Sequence, residues 1–191
     1  SFRSLKISRQ EKRIYTQVEL DTMEKGIRDS GERYALRVFL VARYALLRRK
    51  EILHLRLSDI DNNYIHVKRD PITGRTPNHN DNERSVPLSP KLRKFFEEDG
   101  VFQEKLEDPK SYYCINRCHK KIYSVLNRFK PSDSEGLAVL HGIRSAGITK
   151  LLLETGKPEL VAKFAGHTPK VMYQHYLSLK EANTDELADV L

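Results

Sequence analysis

Arg48, His141, Arg144, His167 and Tyr176 are spread over more than a hundred residues, yet their side chains are of the kinds that handle phosphate and protons. A guanidinium offers a planar fork of donors that stays charged and can grip phosphate oxygens at two points. An imidazole exchanges protons near neutral pH, and a phenol with a pKa of about 10 must shed its proton to become a nucleophile. Singly, each residue has an ordinary explanation. Arg48 and Glu51, three apart, read as an ion pair at a helix end. His141 and Arg144 in "HGIR" read as a capping histidine and a surface arginine. In "GHTPKVMYQHY", Tyr173 and Tyr176 fall on one helical face, about 5 to 6 Å apart at Cβ, and most tyrosines simply bury a ring and tie down a hydroxyl.

The elements that must position these residues are mostly helical. "YTQVELDTMEKGIRDSG" opens with Thr16 and Glu19 at capping-box spacing, and "ERYALRVFLVARYALLRR" repeats apolar residues at helical intervals. A short helix, "KEILHL", follows. "NYIHVKRD" and "ERSVPL" alternate as half-buried strands across the turn-rich "PITGRTPNHND", which predicts a hairpin with a long tip. Ser89 and Pro90 start a helix that ends on Gly100, and "PKSYYCINRCHKKIYSVLNRFKP" reads as one helix between prolines. "HGIRSAGITKLLLETG" closes at Gly156, "PELVAKFAGH" opens with Pro158, and "TPKVMYQHYLSL" opens with Pro169. The expected fold is mainly α with a small antiparallel β-hairpin, an α+β domain over residues 16–178. Residues 1–15 read as a basic linker and 179–191 as an amphipathic tail helix.

At 191 residues and 39% hydrophobic content the chain can bury one ordinary core. Its 34 Lys and Arg against 26 Asp and Glu leave a net charge of +8, which suits a polyanionic partner but also fits scattered surface charge. No segment has the apolar length of a membrane span, and the basic start has no apolar stretch behind it, so a soluble, intracellular protein is expected. Cys114 and Cys118, with His119 beside them, offer at most three zinc ligands, so "CINRCH" reads as ordinary helical cysteines in a reducing compartment.

The order of motifs is more telling than any one of them. Arg48 in "LLRRKEILHLRLSDID", a Lys-bearing hairpin ending "ERSVPLS", "HGIRSAGITKLLLETG", "FAGH" and "YQHYL" together resemble the catalytic domain of the tyrosine recombinase, or phage integrase-like, family. The resemblance runs from about Thr16 to Tyr176 and includes the tyrosine nine residues after Gly-His. It implies that Arg48 is the first catalytic arginine with Glu51 supporting it, that His141 and Arg144 form the HxxR pair, that His167 is the Gly-His histidine and that Tyr176 is the nucleophile. Tyr173 falls where the family usually has a small polar residue. The catalytic lysine is best matched by Lys68, with Arg69 or Arg75 as alternatives if the register differs. Ser145 stands where many relatives have histidine.

The implied reaction is attack of the Tyr176 oxygen on a DNA phosphodiester through a five-coordinate phosphorus. Two arginines would neutralise its oxygens, His141 would guide the phenolic proton, His167 would hydrogen-bond the phosphate and Lys68 would protonate the departing 5′ oxygen. The 3′-phosphotyrosyl product stores the bond energy, so the chemistry needs no nucleotide cofactor or metal, and no magnesium-binding carboxylate cluster is evident. The resemblance further implies double-stranded DNA as partner and self-assembly on it as dimer to tetramer, with the tail docking in trans. It also implies a cytoplasmic, DNA-associated protein of a prokaryotic host or mobile element. The family's separate N-terminal DNA-clamping domain has no counterpart in the chain, so a catalytic fragment is expected. A type IB topoisomerase, which nicks and reseals one strand, and a catalytically idle DNA-binding module are the alternatives.

Overall fold

The computed structural model describes residues 13–68, 83–114 and 119–188, with side chains to residue 179. Helix α1 (Gln17–Asp29) begins at the anticipated capping box: Glu19 N–H donates to Thr16 Oγ1 at 3.2 Å and Thr16 N–H to Glu19 Oε2 at 2.8 Å. It buries Leu20, Met23 and Ile27, which share one face. Tyr15, just before it, is also part of the core.

Helix α2 (Arg33–Tyr44) is buried along most of its length, and it ends before the apolar run does. Leu46 adopts φ 52°, the only positive φ on a non-glycine among the described residues. This left-handed turn separates α2 from α3 (Arg49–His54), so Arg48 is the residue that caps α3 and not the last of a long helix.

Strands β1 (Tyr64–Val67) and β2 (Arg84–Pro87) pair antiparallel, with Tyr64 opposite Pro87 and Val67 opposite Arg84. Residues 69–82 of the hairpin, which include Arg69 and Arg75, lie outside the described residues. Ser89 accepts from Leu92 N–H and Pro90 begins α4 (Pro90–Glu98) as expected. Gly100, at φ 72°, then launches α5 (Val101–Glu107), which the sequence reading did not anticipate.

The helix expected between the prolines at 109 and 131 is much shorter. Helix α6 spans His119–Phe129, while Tyr112 makes an antiparallel bridge to Arg56. Leu57 N–H donates to Ser111 O and Tyr113 N–H to Leu55 O, each at 2.9 Å. Cys114 therefore lies in an extended segment and not a helix; it is buried with Sγ 3.6 Å from Ile52 O, and burial pushes its thiol up to about 11. Cys118 lies outside the described residues.

Helix α7 (Val139–Thr155), α8 (Pro158–Ala165) and α9 (Pro169–Ala188) complete the domain. The backbone from 179 to 188 continues α9 without a break, so these residues do not form a separate tail helix. Apolar side chains make two clusters. The larger gathers α1 to α6, the hairpin and the first half of α7; the smaller joins Leu46, Ile148 and Leu152 to Val161, Ala162, Ala165 and Met172. Helix α7 serves both and is therefore apolar on more than one side. Arg144 falls at the seam.

Candidate active site

The turn after α2 presents the Leu46 carbonyl to α7, where Arg144 Nη1 donates to it. Arg144 Nη2 donates to Ala165 O at 2.7 Å, so this arginine pins the turn before α3 to the end of α8. The close approach needs Gly147: a Cβ there would run into the Leu46 side chain and come within 3.2 Å of Arg43 O. Arg144 is 4% exposed. Burial and the nearby Arg48 press its pKa down to about 9, which leaves it charged at neutral pH.

Arg48 follows that turn. Its backbone N–H donates to Glu51 Oε2 at 2.7 Å, its Nη1 lies 3.3 Å from Glu51 Oε1, and its Nη2 donates to Gly166 O. Glu51 is almost wholly buried. Burial alone would raise its pKa, but hydrogen bonds and charge from Arg84, the Arg48 N–H and the Arg144 charge outweigh it and hold the carboxylate at about 2.

Arg84 was given no role in the sequence reading. Strand alternation turns Val86 inward, and Arg84, two residues away, shares that face. An inward arginine on a half-buried strand requires a partner, which is the signal that could have revealed it. Its Nη1 and Nη2 each lie 2.8 Å from a different oxygen of Glu51, and its Nε donates to Phe164 O at 3.2 Å.

Gly166 closes the pocket. Its φ of 69° ends α8, and a Cβ there would lie 2.7 Å from Arg84 Nη1 and 3.1 Å from Arg48 Nη1. Only glycine allows both the turn and the approach of two guanidiniums. The next residue, His167, is half-buried, and burial together with Arg144, Arg48 and Arg84 lowers its pKa to about 4, so the imidazole is neutral at pH 7. Three guanidiniums, one carboxylate and a neutral imidazole leave a net positive pocket, a receptacle for an oxyanion.

Three sequence candidates are not gathered there in the same way. His141 lies in the first turn of α7 and is exposed, whereas Arg144 three residues on points inward. Lys68 has Nζ 3.6 Å from Asp59 Oδ1 and its side chain is 53% exposed. Tyr176 packs against the smaller cluster, and a Cβ built on Gly156 would lie 3.6 Å from its hydroxyl. Gly156 follows Arg144 by twelve residues, about 18 Å along α7 at the helical rise, so the hydroxyl faces the far end of that helix. Tyr173 donates instead to the Glu159 carboxylate. Among the described residues no group of three His, Cys, Asp or Glu is placed to hold a metal ion, and no helix is long and apolar enough to cross a membrane.

A mainly helical domain with a two-stranded sheet, holding a cluster of arginines and a Gly-His turn, has the architecture of a tyrosine recombinase catalytic domain. The model of the phage integrase family matches residues 9–183, and the chain belongs to that family. Among solved structures it is similar to XerA recombinase, at 17% identity and a TM-score of 0.66 over 91% of this chain and 63% of that one. It is also similar to XerH site-specific recombinase bound to palindromic difH substrate in a post-cleavage complex (15%, 0.66, 94% and 53%). A third likeness is to the Tn1549 transposon integrase in complex with transposon right end DNA (16%, 0.64, 96% and 68%). The chain thus spans 63% and 53% of the two Xer chains' lengths, and identities this low establish the shared fold. No curated protein sequence matches the chain.

Proposed function

We propose that this domain cuts and rejoins DNA strands through a 3′-phosphotyrosyl intermediate, as the catalytic part of a site-specific recombinase or integrase. The observation that carries the reading is the convergence of Arg48, Arg144 and His167, from three separated segments, on one positive pocket around Glu51. Arg48 and Arg144 would neutralise the charge that grows on the phosphate oxygens, and losing one such donor typically costs roughly 3 to 4 kcal/mol of barrier. Neutral His167 would add one N–H to the same oxygens. Tyr176 forms the bond to phosphorus and the 5′ oxygen leaves. The phenolic proton passes toward His141, and the 5′ oxygen takes one from Lys68, the hairpin candidate among the described residues.

With its hydroxyl beside Gly156, Tyr176 must travel to meet a phosphate held by the arginines, so the described arrangement is a resting state. DNA binding would release the first turns of α9 from the smaller apolar cluster and bring the tyrosine across. The whole protein is proposed to act on double-stranded DNA and to assemble on it, with residues 179–191 reaching a neighbouring subunit. XerH and the Tn1549 integrase are recorded with their DNA, and a lambda integrase dimer with its core site.

The experiment is covalent trapping on DNA followed by peptide mapping. Tyr176→Phe should abolish the adduct while leaving fold and DNA binding nearly intact, and Tyr173→Phe should retain it. An adduct mapped to Tyr173, or full adduct yield from Tyr176→Phe, would sink the assignment. A type IB topoisomerase would form the adduct but would not exchange strands between two sites.

A further inference from the structure

Arg84 makes three side-chain hydrogen bonds at the pocket, two to Glu51 and one to the Phe164 carbonyl, and only 8% of its side chain is exposed. With both arms of its fork on Glu51, it has little left to offer a substrate. The Arg48 side chain, by contrast, is 26% exposed, and its guanidinium meets the same carboxylate through a single, longer contact of 3.3 Å, beside the 2.7 Å bond from its backbone N–H.

We infer that Arg84 is a positioning residue for the phosphate pocket: it holds Glu51 as the fixed carboxylate that orients Arg48, and it ties β2 to the Gly166–His167 turn. The inference rests on the recombinase reading above. Without Arg84, the Glu51 carboxylate would swing further onto Arg48 and engage both of its arms, drawing that guanidinium off the Gly166 carbonyl and away from a bound phosphate. The hairpin would also lose its bond to the end of α8, close to where His167 emerges.

Among the described residues, the groups that face Glu51 include Arg48 at the head of α3, Arg84 on β2, Arg144 on α7 and His167 before α9. Removing the Arg84 contribution leaves a buried carboxylate whose burial favours the protonated form. Its pKa then rises from about 2, and the acid side of the cleavage profile moves to higher pH.

Two readouts test this. The first is relaxation of supercoiled plasmid, which requires one strand to be cut and resealed at no particular site. The second is a ¹³C titration of the Glu51 carboxyl in DNA-free protein. Arg84→Met keeps the stem and removes the bonds, and Arg84→Lys keeps the charge. Arg84→Met should lower relaxation turnover by about a hundredfold with little change in plasmid affinity, shift the acid limb upward and raise the Glu51 titration. Arg84→Lys should recover part of each, and if the methionine variant does not fold, the lysine variant still carries both measurements, with intermediate shifts expected. Folded variants with wild-type turnover and an unmoved Glu51 titration would overturn the inference. Absence of both relaxation and adduct in the wild-type protein would instead refute the recombinase reading, and the carboxyl titration would still decide whether Arg84 sets Glu51.

Discussion

His167 is neutral because its ring is half-buried and the charges of Arg144, Arg48 and Arg84 add to that effect, and this neutrality has a thermodynamic signature. The unfolded chain binds the imidazole proton near 6.5 whereas the folded protein resists it until about 4. Because the unfolded state binds more protons in this interval, stability falls as pH drops from about 6.5 to about 4 and levels off below. Glu51 acts in a lower window: its folded pKa of about 2 lies under the ordinary 4.5, so its contribution is complete above about 4.5 and is lost as pH falls toward 2. Urea unfolding followed from pH 8 to 3 should show both phases. His167→Gln should flatten the upper one and spare the lower. An unaltered slope between 6.5 and 4 in that variant would mean that His167 is not the group responsible.

Helix α7 works through its contacts at both ends and through one close approach in the middle. Gly147 lets α7 lie against the Leu46 turn, and that turn supplies the carbonyl that holds Arg144. Gly147→Ala retains helix propensity but inserts a methyl where Leu46 and the Arg43 carbonyl already stand. Overpacking of this kind costs roughly 1 to 3 kcal/mol, and here it also shifts an acceptor of Arg144, the arginine proposed to grip phosphate. Thermal unfolding should move down and adduct yield should fall by more than the lost stability explains. A variant as stable and active as wild type would show that the α7–Leu46 contact has slack. Helix α9 presents a different case, since Met172, Tyr176 and Leu179 anchor it to the smaller cluster while His175 Nε2 lies 3.1 Å from Thr149 Oγ1.

The larger part of the molecule is held together by a second arginine set that is remote from the pocket. Arg37 is fully buried, with Nε 2.5 Å from Asp99, Nη2 2.9 Å from Glu104 and Nη1 2.9 Å from Tyr113 O. It thereby joins α2 to the α4–α5 turn and to the extended segment before α6. Removing one member of a buried ionic network leaves the others uncompensated, so Arg37→Ala should lose about 3 to 5 kcal/mol in denaturant unfolding. The residual folded fraction should keep normal adduct chemistry. A loss below about 1 kcal/mol would show that the network is dispensable.

The helices with strong punctuation were legible from the sequence, because Thr16 with Glu19, Ser89 with Pro90, Gly156 and Pro158 act within a turn of themselves. So were the hairpin strands, through their alternation, and the order of the site motifs, through their resemblance to a family. Apolar periodicity overran the end of α2 and the start of α6, since it cannot register a left-handed residue at Leu46 or the pairing of Tyr112 with Arg56. Arg84 escaped because its meaning depends on which strand face turns inward and on a carboxylate thirty-three residues earlier in the chain. The position of Tyr176 was likewise beyond sequence: nine residues from His167 sets how far the tyrosine can reach, while packing of α9 on Leu152 and Ala162 decides that it rests beside Gly156. Local signals act through the backbone's own hydrogen bonds, whereas the pocket and the resting tyrosine are set by side chains that meet only after distant segments have packed.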